Sequence, residues 1–221
     1  ITICASGERF VNANMFPSSK KIELGEPMSL TVSYVGGLSS RAGYAVSSSD
    51  EMDADKRESI NDLVIPYYST YTSWLETIKI GMLGGEMYDY IEEIFPKEKY
   101  NWNLCPGHLT AEEEWMTTPI YEGSSAKIHS GMIFQVDFIP SIKGYSGVSA
   151  ESTIALADEK LRSEIKKDYP ELWSRIEKRR KYIIEVLGIQ ISEEILPMCS
   201  TVGYLRPYLL NKEEAMVNVK S

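Results

Sequence analysis

Apolar and polar residues alternate through residues 28–34, with Met28, Leu30, Val32 and Tyr34 on one side and Ser29, Thr31 and Ser33 on the other. A period of two predicts a half-buried β-strand. An apolar run at 1–6, ended by Gly7, predicts an earlier strand. Gly36-Gly37 predicts a turn into a returning strand at 41–46, and the polar, acidic stretch 47–55 predicts a loop. The period then lengthens. From 59 to 80, Ile60, Leu63, Val64, Tyr67, Tyr71, Trp74, Leu75 and Ile78 recur at helical spacing, and Gly81 closes the helix. Pro66 lies inside this run and is expected to end or kink its first turns. A second helix is predicted over 85–94, stopped by Pro96.

Residues 101–115 carry no regular period. Alternation returns over 132–139, where Ile133, Gln135 and Asp137 share one face and Met132, Phe134, Val136 and Phe138 the other. Gly144 and Gly147 predict a turn, and 152–157 the next strand. The last third is helical in pattern. A short helix is predicted over 158–167. A longer one over 170–187 has Pro170 in its first turn and Gly188 past its end. Ser192 is expected to open one more short helix, stopped by Pro197. Strands first, then strands mixed with helices, then helices is an α+β order rather than regular βαβ alternation.

The 221 residues suit one large domain, here expected to be a single unit over 1–221. A net charge of −9 argues against a nucleic-acid partner, because phosphate backbones need clustered cations. The one basic run, Lys178-Arg179-Arg180-Lys181, lies among Glu171, Glu177 and Glu185 and reads as a solvated helix face. No apolar run reaches the roughly 18–20 residues that span a bilayer, so no membrane partner is expected. Three widely spaced cysteines, Cys4, Cys105 and Cys199, form neither a disulfide framework nor a zinc knuckle, and a reducing cytoplasm fits them best. Cys105 precedes His108 by three residues without a cysteine-protease signature around it, and reads as a structural thiol. The acidic run Glu112-Glu113-Glu114 reads as an exposed loop or first helical turn.

Several short motifs fall in a telling order: Ala5-Ser6-Gly7-Glu8, Leu24-Gly25-Glu26, Ile80-Gly81 with Gly85-Glu86-Met87-Tyr88, Gly107-His108, Gly131-Met132-Ile133-Phe134, and Ala150-Glu151-Ser152. Together they resemble the pita-bread metallopeptidases, which include aminopeptidase P, prolidase and methionine aminopeptidase, and their metal-free relative creatinase. The resemblance runs from about Ile3 to Ala157. It implies a curved antiparallel sheet with helices on its convex side, and two divalent metals held on the concave side by Asp, Asp, His, Glu and Glu. Paired cations need bridging carboxylates to offset their charge and fix their separation. It also implies a possible homodimer, and, since many members carry a smaller N-terminal domain, that this chain is the C-terminal domain of a longer protein.

Carried over residue by residue, the set departs from the pattern. The first Asp position falls on Thr31 and the second near Ala42, beside Arg41. The His position is His108, the first Glu position is Asp137, and the last is Glu151. A substrate-side histidine falls near Asn14, and the only other histidine is His129, expected on the surface. His108, Asp137 and Glu151 are therefore the catalytic candidates, and the residual ligand candidates. His108 is open to three roles: metal ligand, general base, or hydrogen-bonded structural residue. Asp137 and Glu151 form an acid/base pair, or one of them pairs with Arg41. Arg41, Thr31 and Gln135 are the substrate-binding candidates. The expectation is a peptidase-like domain without a dinuclear centre, with no cofactor and with a cleft for a small molecule or peptide. The alternatives are a metal-free, creatinase-like C–N hydrolase, or a mononuclear metallopeptidase with one divalent ion (Zn, Mn or Co).

Overall fold

The computed structural model describes residues 2–10, 16–34, 37–103, 105–110 and 117–219. Asn14, Gly36 and the Glu112-Glu113-Glu114 run lie outside them. Strands β1 (Thr2–Ser6), β2 (Pro27–Tyr34) and β3 (Gly37–Tyr44) form one antiparallel sheet in that order. The return strand starts earlier than its sequence suggests, because Leu38, Ser39 and Ser40 pair with Ser33, Val32 and Thr31. The alternation of β2 is real, but its burial runs against hydropathy: Ser29 is 4% exposed and Leu30 38%. Ser29 stands between Ala5 and Ala42 in the register, so small side chains close that face.

A second antiparallel sheet runs β4 (His108–Leu109), β5 (Ile133–Gln135), β6 (Thr153–Leu156) and β7 (Ile195–Pro197). The two sheets meet along a seam. Ser39 bridges Ser152, Ala42 bridges Ser149, and the Ser40 amide donates to the Glu151 carbonyl at 3.0 Å. β3 thus lies against the chain that leads into β6.

Behind the second sheet packs α1 (Ile65–Thr77), preceded by a π-helical turn at Ile60–Val64. Pro66 does not end the helical run, but the run changes there from the π-helical turn to α1, and Pro66 falls in the first turn of α1, where its missing N–H matters least. Tyr67, Tyr71, Trp74 and Leu75 form a fully buried stripe in the main core. α2 (Gly84–Ile94) and the short α3 (Lys97–Tyr100) follow.

Helices α4 (Glu159–Asp168) and α5 (Pro170–Glu185) sit close to their predicted bounds. The short helix expected from Ser192 is instead β7, paired with β6 through Ile195, Leu196 and Pro197. A single helical turn satisfies few backbone groups, whereas the open edge of β6 offers a full ladder. The basic run of α5 also differs from its reading as a solvated face. Arg179 donates to the carbonyls of Pro197 and Met198, and Arg180 to those of Ser192 and Ile195, while Lys178 and Lys181 remain exposed. Two guanidiniums thus cover carbonyls along and beside the free edge of β7. Among the described residues no helix is long and apolar enough to cross a membrane.

Candidate functional site

Strand register assembles the site from residues distant in sequence. Asp137 continues β5, with the Val136 amide donating to the Ser152 carbonyl at 3.1 Å, so Asp137 falls opposite Glu151. His108 pairs with Gln135, two residues before Asp137 and on the same side of the sheet. Across the seam Ser40 lies opposite Glu151, and in the hairpin Thr31 lies opposite Ser40. One row therefore crosses both sheets: Thr31, Ser40, Glu151, Asp137, with His108 beside its acidic end. Ala42, two residues from Ser40, shares that face.

His108, Asp137 and Glu151 are all buried, at 1%, 3% and 8% exposure. His108 Nε2 stands 3.7 Å from Asp137 Oδ2 and 3.9 Å from Glu151 Oε1. Its Nδ1 lies 3.1 Å from the Leu109 carbonyl oxygen. A carbonyl only accepts, so Nδ1 carries a proton, and in the neutral ring Nε2 turns its lone pair toward the two carboxylates. Three electron-rich groups facing one another call for a proton or a cation among them.

The aromatic stripe of α1 holds these three residues in place. Trp74 Nε1 donates to the Pro106 carbonyl at 2.7 Å, two residues before His108. The Tyr67 hydroxyl accepts from the Ala150 amide at 2.8 Å, one residue before Glu151. Tyr67 also packs on Phe138, next to Asp137, with ring centroids 4.8 Å apart. Gly107 has φ +107°, and its amide donates to the Asp137 carbonyl at 2.7 Å. That turn is what swings His108 toward the acids. Sequence periodicity marks Tyr67 and Trp74 as core but says nothing of these hydrogen bonds. Ser40, opposite Glu151, carries no sequence signal at all.

The remaining candidates are placed as follows. Thr31 is half-buried and donates through Oγ1 to Ser40 Oγ at 2.7 Å. Gln135 is 1% exposed, and its Oε1 accepts from Thr153 Oγ1 at 2.7 Å, which makes it wall rather than open ligand contact. Arg41 is a correction. It pairs opposite Leu30, on the other side of β3 from Ser40 and Glu151. Its guanidinium donates to the main-chain carbonyls of Ser40, Glu151 and Thr201 rather than to either carboxylate. It therefore neither fills a metal position nor faces a substrate on this side. Burial pushes the Cys105 thiol up, and the thiol donates to the Gly107 carbonyl at 3.2 Å, so it serves structure rather than nucleophilic attack. His129 is exposed and lies ahead of β5, outside the strands.

The same architecture is present in solved structures. A prolidase from Pyrococcus furiosus matches 71% of this chain at 24% identity, with a TM-score of 0.53. An X-Pro aminopeptidase from Thermotoga maritima MSB8 matches 72% at 18% identity and 0.51, and an Xaa-Pro dipeptidase from Bacillus anthracis 72% at 22% and 0.50. This is the pita-bread fold. The chain spans less than half the length of those structures, 46%, 44% and 44% respectively. No family model and no curated protein sequence matches the chain.

In the pita-bread fold as built here, one imidazole nitrogen and two carboxylate oxygens lie within 4.8 Å of one another. Bonds of about 2.0–2.2 Å to a single ion require donor spacings near 3.3 Å, a contraction within side-chain reach. The Leu109 carbonyl already orients the ring for ligation through Nε2. The donor set fits one divalent cation. Thr31, Ser40 and Ala42, on the same face, carry no carboxylate.

Proposed function

We propose that this domain is a peptidase-fold protein that does not run a two-metal hydrolytic centre. It keeps a three-donor site for at most one divalent ion, and uses the concave face to bind a small molecule or peptide. The observation that carries this is the row across the seam: the residues just before β6 and just after β5 are the acids Glu151 and Asp137, and its β3 and β2 positions are Ser40 and Thr31. Two cations a few ångströms apart repel strongly unless carboxylates stand between them. Among the described residues the carboxylates of this row flank one location. A bound ion would be held by His108, Asp137 and Glu151, and would supply Lewis acidity. The chain's own residues orient the imidazole through Leu109 and bury the acids. A metal-free, creatinase-like reading needs a cation to grip the substrate's carboxylate, and Arg41 points to the opposite face.

The test is metal stoichiometry with activity. Purified protein, stripped and reloaded with Mn²⁺, Co²⁺ or Zn²⁺, should retain no more than one ion per chain, and His108→Ala should lose it. Under the same loading, Xaa-Pro dipeptides should not be cleaved above background. Two ions per chain, or metal-dependent turnover of Xaa-Pro dipeptides, overturns the reading.

A further inference from the structure

Beyond β7 the chain folds back over the other face of the β2–β3 hairpin, the face that carries Leu30 and Arg41 rather than Thr31 and Ser40. A cavity of about 250 Å³ lies between them. Met28, Leu30 and Leu209 make its apolar wall. Arg41, Tyr204 and Arg206 make its polar end.

The polar end is cationic, and its hydrogen bonds go to neutral groups. Arg41 spends its Nη donors on neutral acceptors: the carbonyls of Ser40, Glu151 and Thr201 and the Ser152 hydroxyl. Arg206 donates Nε to the Tyr204 hydroxyl at 2.9 Å and Nη1 to the Leu209 carbonyl at 3.3 Å. That leaves three of its five N–H groups for another partner. The Tyr204 hydroxyl accepts from Arg206 and so keeps its own proton to donate. Among the described residues neither guanidinium forms an ion pair with a carboxylate. This happens in a chain with 32 acidic residues against 23 basic ones. Burial pushes the pKa of the Arg41 guanidinium below its ordinary value, a larger effect than the opposing pull of the nearby Glu151 carboxylate. Two cations against an apolar wall, with three donors of Arg206 unspent, match a carboxylate joined to a short hydrocarbon.

We propose that this cavity binds a small organic anion, a carboxylate with a compact apolar tail. Its head lies on Arg206 and Tyr204 beside the charge of Arg41, and its tail against Met28, Leu30 and Leu209. The volume equals the share of about eight waters at ~30 Å³ each, which suits acids the size of 4-methylpentanoate or phenylacetate. Inorganic phosphate leaves the apolar wall unused. The site stands apart from the three donors and does not depend on the function proposed for them.

Calorimetric titration of the intact protein with phenylacetate and with 4-methylpentanoate tests this. Saturable one-to-one binding is expected, with no response to phenylacetamide. Arg206→Met should weaken it by about tenfold or more, the loss of one charge-assisted hydrogen-bonded contact. His108→Ala should leave it unchanged. Leu30→Glu, at the half-exposed rim, should abolish binding by placing a carboxylate of the chain itself on the guanidiniums, and should raise the melting temperature. No saturable binding up to about 10 mM overturns the proposal. So does equal affinity in Arg206→Met or Leu30→Glu, or inorganic phosphate binding as well as the acids.

Discussion

Gly107 shows how much one residue decides here. With φ at +107° its backbone lies where L side chains are strained, and an added Cβ would stand 3.0 Å from the Trp74 ring. Gly107→Ala should therefore cost about 1–3 kcal/mol, from strain and from pushing apart the Trp74–Pro106 hydrogen bond. Urea denaturation should show a lower midpoint at unchanged slope, and a midpoint within error of the parent would remove the argument. The Gly-His step is legible in the sequence because both residues sit together and both are unusual: glycine before one of only two histidines. Thr31, Asp137 and Glu151 are legible through the resemblance, which orders motifs along the chain. Ser40 and the direction of Arg41 are not. Which side of β3 faces the acids depends on a pairing between residues more than 100 positions apart, and a one-residue slip reverses every side chain.

Element by element, boundaries marked by proline and glycine chemistry are readable, and pairing partners are not. α5 starts at Pro170, and Gly188, with φ +74°, follows its end, as expected of a helix closed by a left-handed residue. Residues 192–197 contain too few positions to show a period, so a short apolar segment before a proline reads equally as helix or strand. Tertiary context resolves it: β6 has a free edge, and α5 has two arginines at the right pitch to cover the new one. Arg180 serves two carbonyls, of Ser192 and Ile195, and burial pushes its guanidinium below the ordinary value. Arg180→Ala should destabilise the protein by about 1–3 kcal/mol, because both acceptors lose a charged donor. It should also speed amide hydrogen exchange across β7. Lys181→Ala, on the exposed side of the same helix, should change stability by no more than about 0.5 kcal/mol. Equal effects from the two substitutions would mean the basic run is a solvated face after all.

At the scale of the molecule, the fold is held by parts that are not the site. The main core runs from the α1 stripe through Phe134, Val136 and Phe138 to Ile154 and Leu156, and none of it depends on a bound ion. Tyr67 and Trp74 would position the 106–108 and 150–151 segments whether or not Thr31 and Ala42 were acids. That separation lets one architecture hold different donor sets on the same face. It also makes the chemistry testable by reversal. Thr31→Asp with Ala42→Asp would place carboxylates on the neutral β2–β3 side of the same face, on either side of Ser40, which lies opposite Glu151. Without metal, four acids around His108 should repel one another and lower stability by several kcal/mol. With metal, the site could share two cations, and binding to the folded state alone stabilises by about 2.7 kcal/mol at a hundredfold excess over Kd. The double variant should therefore melt lower than the parent in EDTA and recover steeply with Mn²⁺ or Co²⁺. The parent should respond weakly, through a single site. Calorimetry should count two ions in the variant and at most one in the parent. If the variant gains no metal-dependent stability, the two substituted positions do not face the acids, and the row across the seam is not the remnant of a two-ion centre.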